Sequence, residues 1–191
     1  MIDLLNSISK FQTVNDRESD VAFFRTHVPW VAPEAYLNII YKPPAAELLS
    51  DAGALMKMPL PIIQFLQHYN GAILLSNAIS LYGVVRRDQL LTRNDPFSLP
   101  PFNIEKENRS WPPPDVDRFL RIGGYGFDGS LVCIDRQDLH IDIFSRGATK
   151  PYHAWASLDD WLGNEIRRLS ELFDASGRRL VDESRTLPPP L

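Results

Sequence analysis

Apolar residues recur along this chain at two spacings, and the change from one to the other organises it. Leu4, Leu5, Ile8 and Phe11 fall at helical intervals with Asn6, Ser7 and Lys10 turned away, which predicts a first helix with one buried stripe. Between Glu18 and Tyr41 the aromatics Phe23, Phe24, Trp30 and Tyr36 are interrupted by Pro29 and Pro33, so short elements laid against a core are expected. Proline suits a first helical turn, and after Pro59 and Pro61 the residues Ile62, Phe65, Leu66 and Tyr69 follow at i, i+3, i+4 and i+7. That helix should stop at Asn70 and Gly71, which tolerate the left-handed backbone of a helix end.

Beyond Gly71 the pattern shortens to that of strands. Residues 73–75 and 79–85 read as strands, and 92–118, with its cluster of prolines, as an irregular segment long enough to be functional or mobile. Residues 119–122, a glycine-rich turn over 123–129, and the runs 131–135 and 139–144 predict an antiparallel meander, its last hairpin closing through Arg136, Gln137 and Asp138. Ser157 can cap a final helix, whose stripe is Leu158, Trp161, Leu162, Ile166, Leu169, Leu172 and Phe173 and whose stop is Gly177. No internal repeat is visible. The expectation is one α+β domain, an antiparallel sheet with helices packed on it, over 43–177. A helical extension over 1–42 packs on this domain, and the tail over 178–191 is flexible.

Composition narrows the function classes. A hydrophobic fraction of 44% supports a self-sufficient core, and a net charge of −4 repels a phosphate backbone, which argues against nucleic acid. The single cysteine, Cys133, sits in an alternating apolar run where thiols are core filler, and a reducing compartment is expected. The first residues lack a basic leader followed by an apolar stretch, and no apolar run approaches the roughly 20 residues of a membrane span. These features predict a cytoplasmic protein.

Each candidate for chemistry has a plainer reading. Gly123, Gly124, Tyr125 and Gly126 lack the Lys and Ser/Thr of a phosphate loop and precede a strand, so they read as a turn. Asp128, Asp135, His140 and Asp142 are the only local set of metal-type donors, but two of them border turns, and a solvated acidic face is the preferred reading. Neither a metal nor another cofactor is expected. Cys133 lacks a catalytic signature, and no serine occupies a Gly-x-Ser-x-Gly elbow. His27, His68 and His153 are scattered, and Asp159 and Asp160 complement the dipole of the last helix. No catalytic set emerges. The positive signs are for binding: Trp111, Tyr125 and Phe127 stand in loops beside the carboxylates Asp128, Asp135 and Asp142 and beside His140, a mixture suited to a protein interface.

Several marks come in order: Pro43 and Pro44; a helix closing in Phe65, Leu66, Gln67, His68, Tyr69, Asn70, Gly71; Leu81, Tyr82, Gly83; Ile122, Gly123; and Asp128, Gly129. This succession resembles the SUKH superfamily, the family of the yeast cell-wall assembly regulator and of many bacterial immunity proteins. The resemblance implies an α+β domain that binds and does not turn over a substrate. In the bacterial branch the implied partner is a polymorphic toxin, often a nuclease, and in the fungal branch a regulatory scaffold. It carries no set of binding residues to this chain and does not reach the first 42 residues.

Overall fold

Strands that are apolar at every position, rather than at every second one, belong in a sheet covered on both faces. The computed structural model describes residues 3–29, 35–86 and 100–189. In chain order its elements are α1 (Leu4–Ser7), β1 (Arg17–Glu18), β2 (Ala22–His27), β3 (Tyr36–Tyr41), α2 (Ala46–Met56), α3 (Leu60–Leu66), β4 (Ala72–Leu74), β5 (Ile79–Leu81), α4 (Ile104–Ser110), β6 (Phe119–Tyr125), β7 (Leu131–Asp135), β8 (Ile141–Phe144), β9 (His153–Trp155) and α5 (Leu158–Ser170). Every residue of β3, β6, β7 and β8 is buried. The nine strands form one sheet whose spatial order is their sequence order, each pair antiparallel. The fold is α+β, and one sheet joins both ends of the chain. No helix among the described residues is long and apolar enough to cross a membrane.

Period-two alternation splits the sheet's side chains between its faces. Leu120 and Ile122, Val132 and Ile134, and Ile141 and Ile143 share the main core with Leu158, Trp161, Leu162, Ile166 and Leu169 of α5. Their neighbours Phe119, Leu131, Cys133 and Phe144 make a separate cluster on the other face. Each Leu, Ile or Phe buried in this way contributes about 1.5–3 kcal/mol.

The first 42 residues are not a helical extension. Only Leu4–Ser7 is helical, capped by the Asp3 carboxylate, and Ile8 and Phe11 reach the core from the turns that follow. The rest supplies β1, β2 and β3, which join the sheet through Ile39 opposite Ile73. Burial alternates along β2, with Ala22, Phe24 and Thr26 buried and Phe23 half-buried against the main core, and this period-two pattern outweighs the helical start. Trp30, Pro33 and residues 92–99 of the proline-rich segment lie outside the described residues, but its remainder contains a helix, α4, capped by Asn103. Gly123 and Gly124 are strand residues, not a turn: β6 runs to Tyr125, and a Cβ at Gly123 would lie 2.2 Å from the Ser80 carbonyl across the sheet. The last helix stops at Ser170 rather than near Gly177.

The tail is packed through Pro189. Leu180 donates its amide to the Leu172 carbonyl, Thr186 is buried, and His153 donates from Nδ1 to the Pro189 carbonyl (2.8 Å). Arg168 holds it, donating to the carbonyls of Arg185 (3.1 Å) and Thr186 (2.7 Å) while its other donors grip the fully buried Glu165. A loose end is expected because its residues are polar, but the segment is held by its backbone carbonyls and by the side chains of Thr186 and Leu187, which pack inward.

Asparagine side chains extend the sheet where strands fail to. Asn70 donates to the Val84 carbonyl (2.9 Å) and accepts from the Val84 amide (2.7 Å), so its carboxamide pairs as a strand residue would. Gly83 is part of that contact, since a Cβ there would come within 2.2 Å of the Asn70 carbonyl oxygen. Gly83→Ala should therefore cost about 3 kcal/mol, read as a lower urea midpoint at unchanged slope. Arg168→Ala leaves Glu165 buried without its cation and should cost about 3 kcal/mol as well. Limited proteolysis of that variant should release the C-terminal segment before the domain is cut.

Candidate functional site

The second face of the sheet carries a charge in its floor. Arg121 lies between Leu120 and Ile122 in β6 and points away from the main core, where α4 covers it; only 7% of its surface is exposed. Asn108 of α4 accepts from the Arg121 amide (2.9 Å) and donates to the Arg121 carbonyl (2.7 Å), fixing the backbone beside the irregularity between Arg121 and Gly123. The guanidinium sits 5.1 Å from the centre of the Tyr82 ring, donates from Nε to the Gly123 carbonyl (3.3 Å), and places Nη1 3.8 Å from the Glu107 carboxylate. That last separation is too long for a hydrogen bond, and Nη1 has no hydrogen-bond partner among the described residues.

Above Arg121 opens a cleft of about 500 Å³ whose walls include Glu107, Trp111, Leu131 and Arg146. Trp111 ends α4 and is half exposed. Arg146, on the turn after β8, lays its guanidinium on the Trp111 ring, 3.8 Å from the centroid. A stacked pair of this kind presents a flat apolar face and an edge of unused donors.

Nucleophiles on this face are masked. Burial pushes the Cys133 thiol far up, and the Arg121 charge only partly offsets it. The Tyr82 phenol is raised for the same reason. Cys133 is thus an un-ionised core thiol, as its apolar flanks suggest.

The expected binding residues scatter. Tyr125 is not at an interface: it is 2% exposed, donates to Glu165 (2.8 Å) and accepts from the Trp161 indole (3.1 Å). β6 runs three residues past Ile122, through Gly123 and Gly124 to Tyr125, and the register shift between Arg121 and Gly123 lets Tyr125 share the main core with Ile122. Asp128 is used within its own turn, accepting from the Ser130 amide (2.8 Å) and hydroxyl (2.7 Å). Asp135 is fully buried and accepts from Arg118 Nε (2.5 Å) and from the Gln137 amide (2.8 Å). His140 is exposed, 3.6 Å from Asp138. Asp142 is on the second face, 9% exposed. Phe127 and Trp111 remain open to a partner, at 45% and 50% exposed. Among the described residues no three His, Cys, Asp or Glu side chains are placed to hold a metal ion. Arg121, Glu107 and Arg146 were not singled out from the sequence. An arginine inside the apolar run Phe119, Leu120, Ile122 was the signal available, since a buried charge needs a reason.

Burial raises the pKa of Asp142, and Asp135 and Asp138 push the same way against Arg118 and His140. Below the ordinary value of 3.8 the carboxyl is neutral folded and unfolded, and no penalty arises. As pH climbs through the raised folded value, the fold must hold a charge that its surroundings disfavour, and stability is lost. Asp142→Asn should therefore raise the melting temperature at neutral pH, with a gain that shrinks toward zero on acidification.

Set against known proteins, the chain matches no family model and no curated protein, so a functional reading has to stand on the geometry of this face.

Proposed function

We infer that the chain is a protein-binding domain of the SUKH type, and that it acts by holding a partner rather than by turning over a substrate. The observation that carries this is the half-exposed Trp111 with Arg146 on its ring, at the mouth of a cleft. Trp and Arg are the side chains most often found where binding energy concentrates, because they combine large contact area with directed donors. Further support comes from the carboxylates that a catalytic reading would use, since Asp135 is committed to Arg118 and Asp128 to its own turn.

The resemblance selects the partner class to test first: a polymorphic toxin met in the cytoplasm and neutralised by direct contact. The residues that carry the resemblance also work as a unit, Asn70 clamping Val84 across Gly83. The regulatory scaffold of the fungal branch is the other reading of the same surface.

Co-production with the toxin encoded beside this gene should restore growth of the producing cell, and the two proteins should co-elute. Trp111→Ala should then weaken the complex by about 2 kcal/mol, roughly 30-fold in Kd, with no change in melting temperature. Full affinity in that variant would remove this face from the interface. Absence of both rescue and complex would sink the toxin reading.

A further inference from the structure

The cleft beside Trp111 is unusual for its charge. The chain as a whole is acidic, with a net charge of −4, yet two guanidinium groups and one carboxylate, Arg121, Arg146 and Glu107, line this opening. The floor cation is nearly withdrawn from water, and its one carboxylate neighbour stands at 3.8 Å without a hydrogen bond. A desolvated charge so loosely matched attracts an anion strongly at short range, where little water intervenes to screen it. Arg146 is exposed at the rim, its ring-facing side on Trp111 and its edge free to donate. Leu131 and the Trp111 ring supply the apolar part of the wall.

We propose that this cleft is an anchor for an acidic side chain of the protein partner: a Glu or Asp enters it, its carboxylate accepts from the Arg146 guanidinium, and the fixed positive charge of Arg121 holds it from below. The methylene stem of a glutamate lies against Trp111 and Leu131. A neutral amide of the same shape lacks the charge that the floor calls for, and a lysine is repelled by two cations. A nucleobase is disfavoured because the Trp111 face is already covered by Arg146 at 3.8 Å. This inference deepens the protein-binding reading and depends on it for its source of carboxylate, but the cleft itself can be tested without a partner.

The test is a titration of the whole chain, labelled with nitrogen-15, with N-acetyl-glutamate N-methylamide and with its glutamine counterpart. The Trp111 indole N–H and the Arg146 Nε–H report, the first assigned by its loss in Trp111→Phe. The glutamate probe should shift both resonances in a saturable way with a Kd on the order of 1 mM, and the glutamine probe should not. Arg146→Gln, an exposed change that leaves the fold intact, should weaken the glutamate response at least tenfold. Equal shifts with both probes, or none with either, overturn the proposal. A stronger response to inorganic phosphate than to glutamate also overturns it, in favour of a phosphate ligand. If a toxin complex forms but the glutamate probe leaves Trp111 untouched, the protein-binding reading stands and this anchor fails. If the probe binds and no protein partner does, the reverse holds.

Discussion

A carboxylate that faces nothing outside fixes how the sheet, the last helix and the C-terminal segment fit together. Glu165 is fully buried and accepts from Tyr125 on the sheet and from Arg168 on its own helix. Taking such an ion out of water costs several kcal/mol, and only a complete set of donors offsets it. The donors here come from two parts of the chain, Tyr125 at the end of β6 and Arg168 in α5, and Arg168 in turn holds the carbonyls of Arg185 and Thr186. A one-residue slip of β6 would put Tyr125 on the opposite face and leave Glu165 without its phenol. The network therefore selects one register for the strand that carries Arg121, and the turn after Tyr125 begins where that register requires. Phe127 is outside and Tyr125 inside for this reason, although both are aromatic and both sit beside glycine.

A second constraint is that a sheet in sequence order has strands of unequal length, and short ones leave backbone groups of longer neighbours unpaired. β5 ends at Leu81, while β6 begins at Phe119, well before its paired stretch with β5. Asn108 covers the Arg121 amide and carbonyl there, and Asn70 does the same for Val84. A carboxamide has one donor side and one acceptor side, like a peptide unit, and so it can stand in for the missing strand. The substitution by Asn108 has a consequence for the surface. It brings α4 against β6, and the end of α4 is Trp111. The cleft exists because a strand stops early and a helix, not another strand, completes the pairing.

How much of this was legible follows from what each feature depends on. α5 was readable because its signals are local: Ser157 caps Asp160, and the stripe from Leu158 to Leu169 needs only helical spacing. The meander β6 to β8 was readable for the same reason, whereas α3 ends at Leu66, four residues before the stop that Asn70 and Gly71 suggest. α2 carries no such local signal: no side chain caps it at Ala45, and its apolar positions are diluted by Ala and Gly. The strands of the first 42 residues alternate clearly only in β2, and β3 is buried at every position, with Asn38 set among apolar residues, a pattern that does not declare its period. Tyr125, Asp135 and the tail were misplaced because their partners, Glu165, Arg118 and Arg168, are distant in sequence. No local pattern states which carboxylate will meet which arginine. Arg121 is the instructive case, since its neighbours identify a buried strand and its own charge contradicts them, and only the three-dimensional arrangement shows that the charge faces a cleft.

If the cleft anchors a carboxylate as proposed, the distribution of charge separates two roles that a binding surface usually combines. At distances beyond a screening length of about 8 Å a partner senses the whole molecule, which is acidic, and a basic protein is drawn in while an acidic one is turned away. At contact it senses Arg121 and Arg146, which favour the opposite sign. A partner that satisfies both has a basic surface overall and an acidic residue at one position, a requirement that few proteins meet by chance. Long-range attraction would govern how fast such a partner arrives and would weaken with salt, whereas a carboxylate sequestered beside a desolvated guanidinium would govern how slowly it leaves and would respond little to salt. Discrimination among basic partners would then reside in the anchor rather than in the net charge, because misplacing or losing one acidic side chain leaves a buried cation poorly matched and costs more than any rim contact can restore.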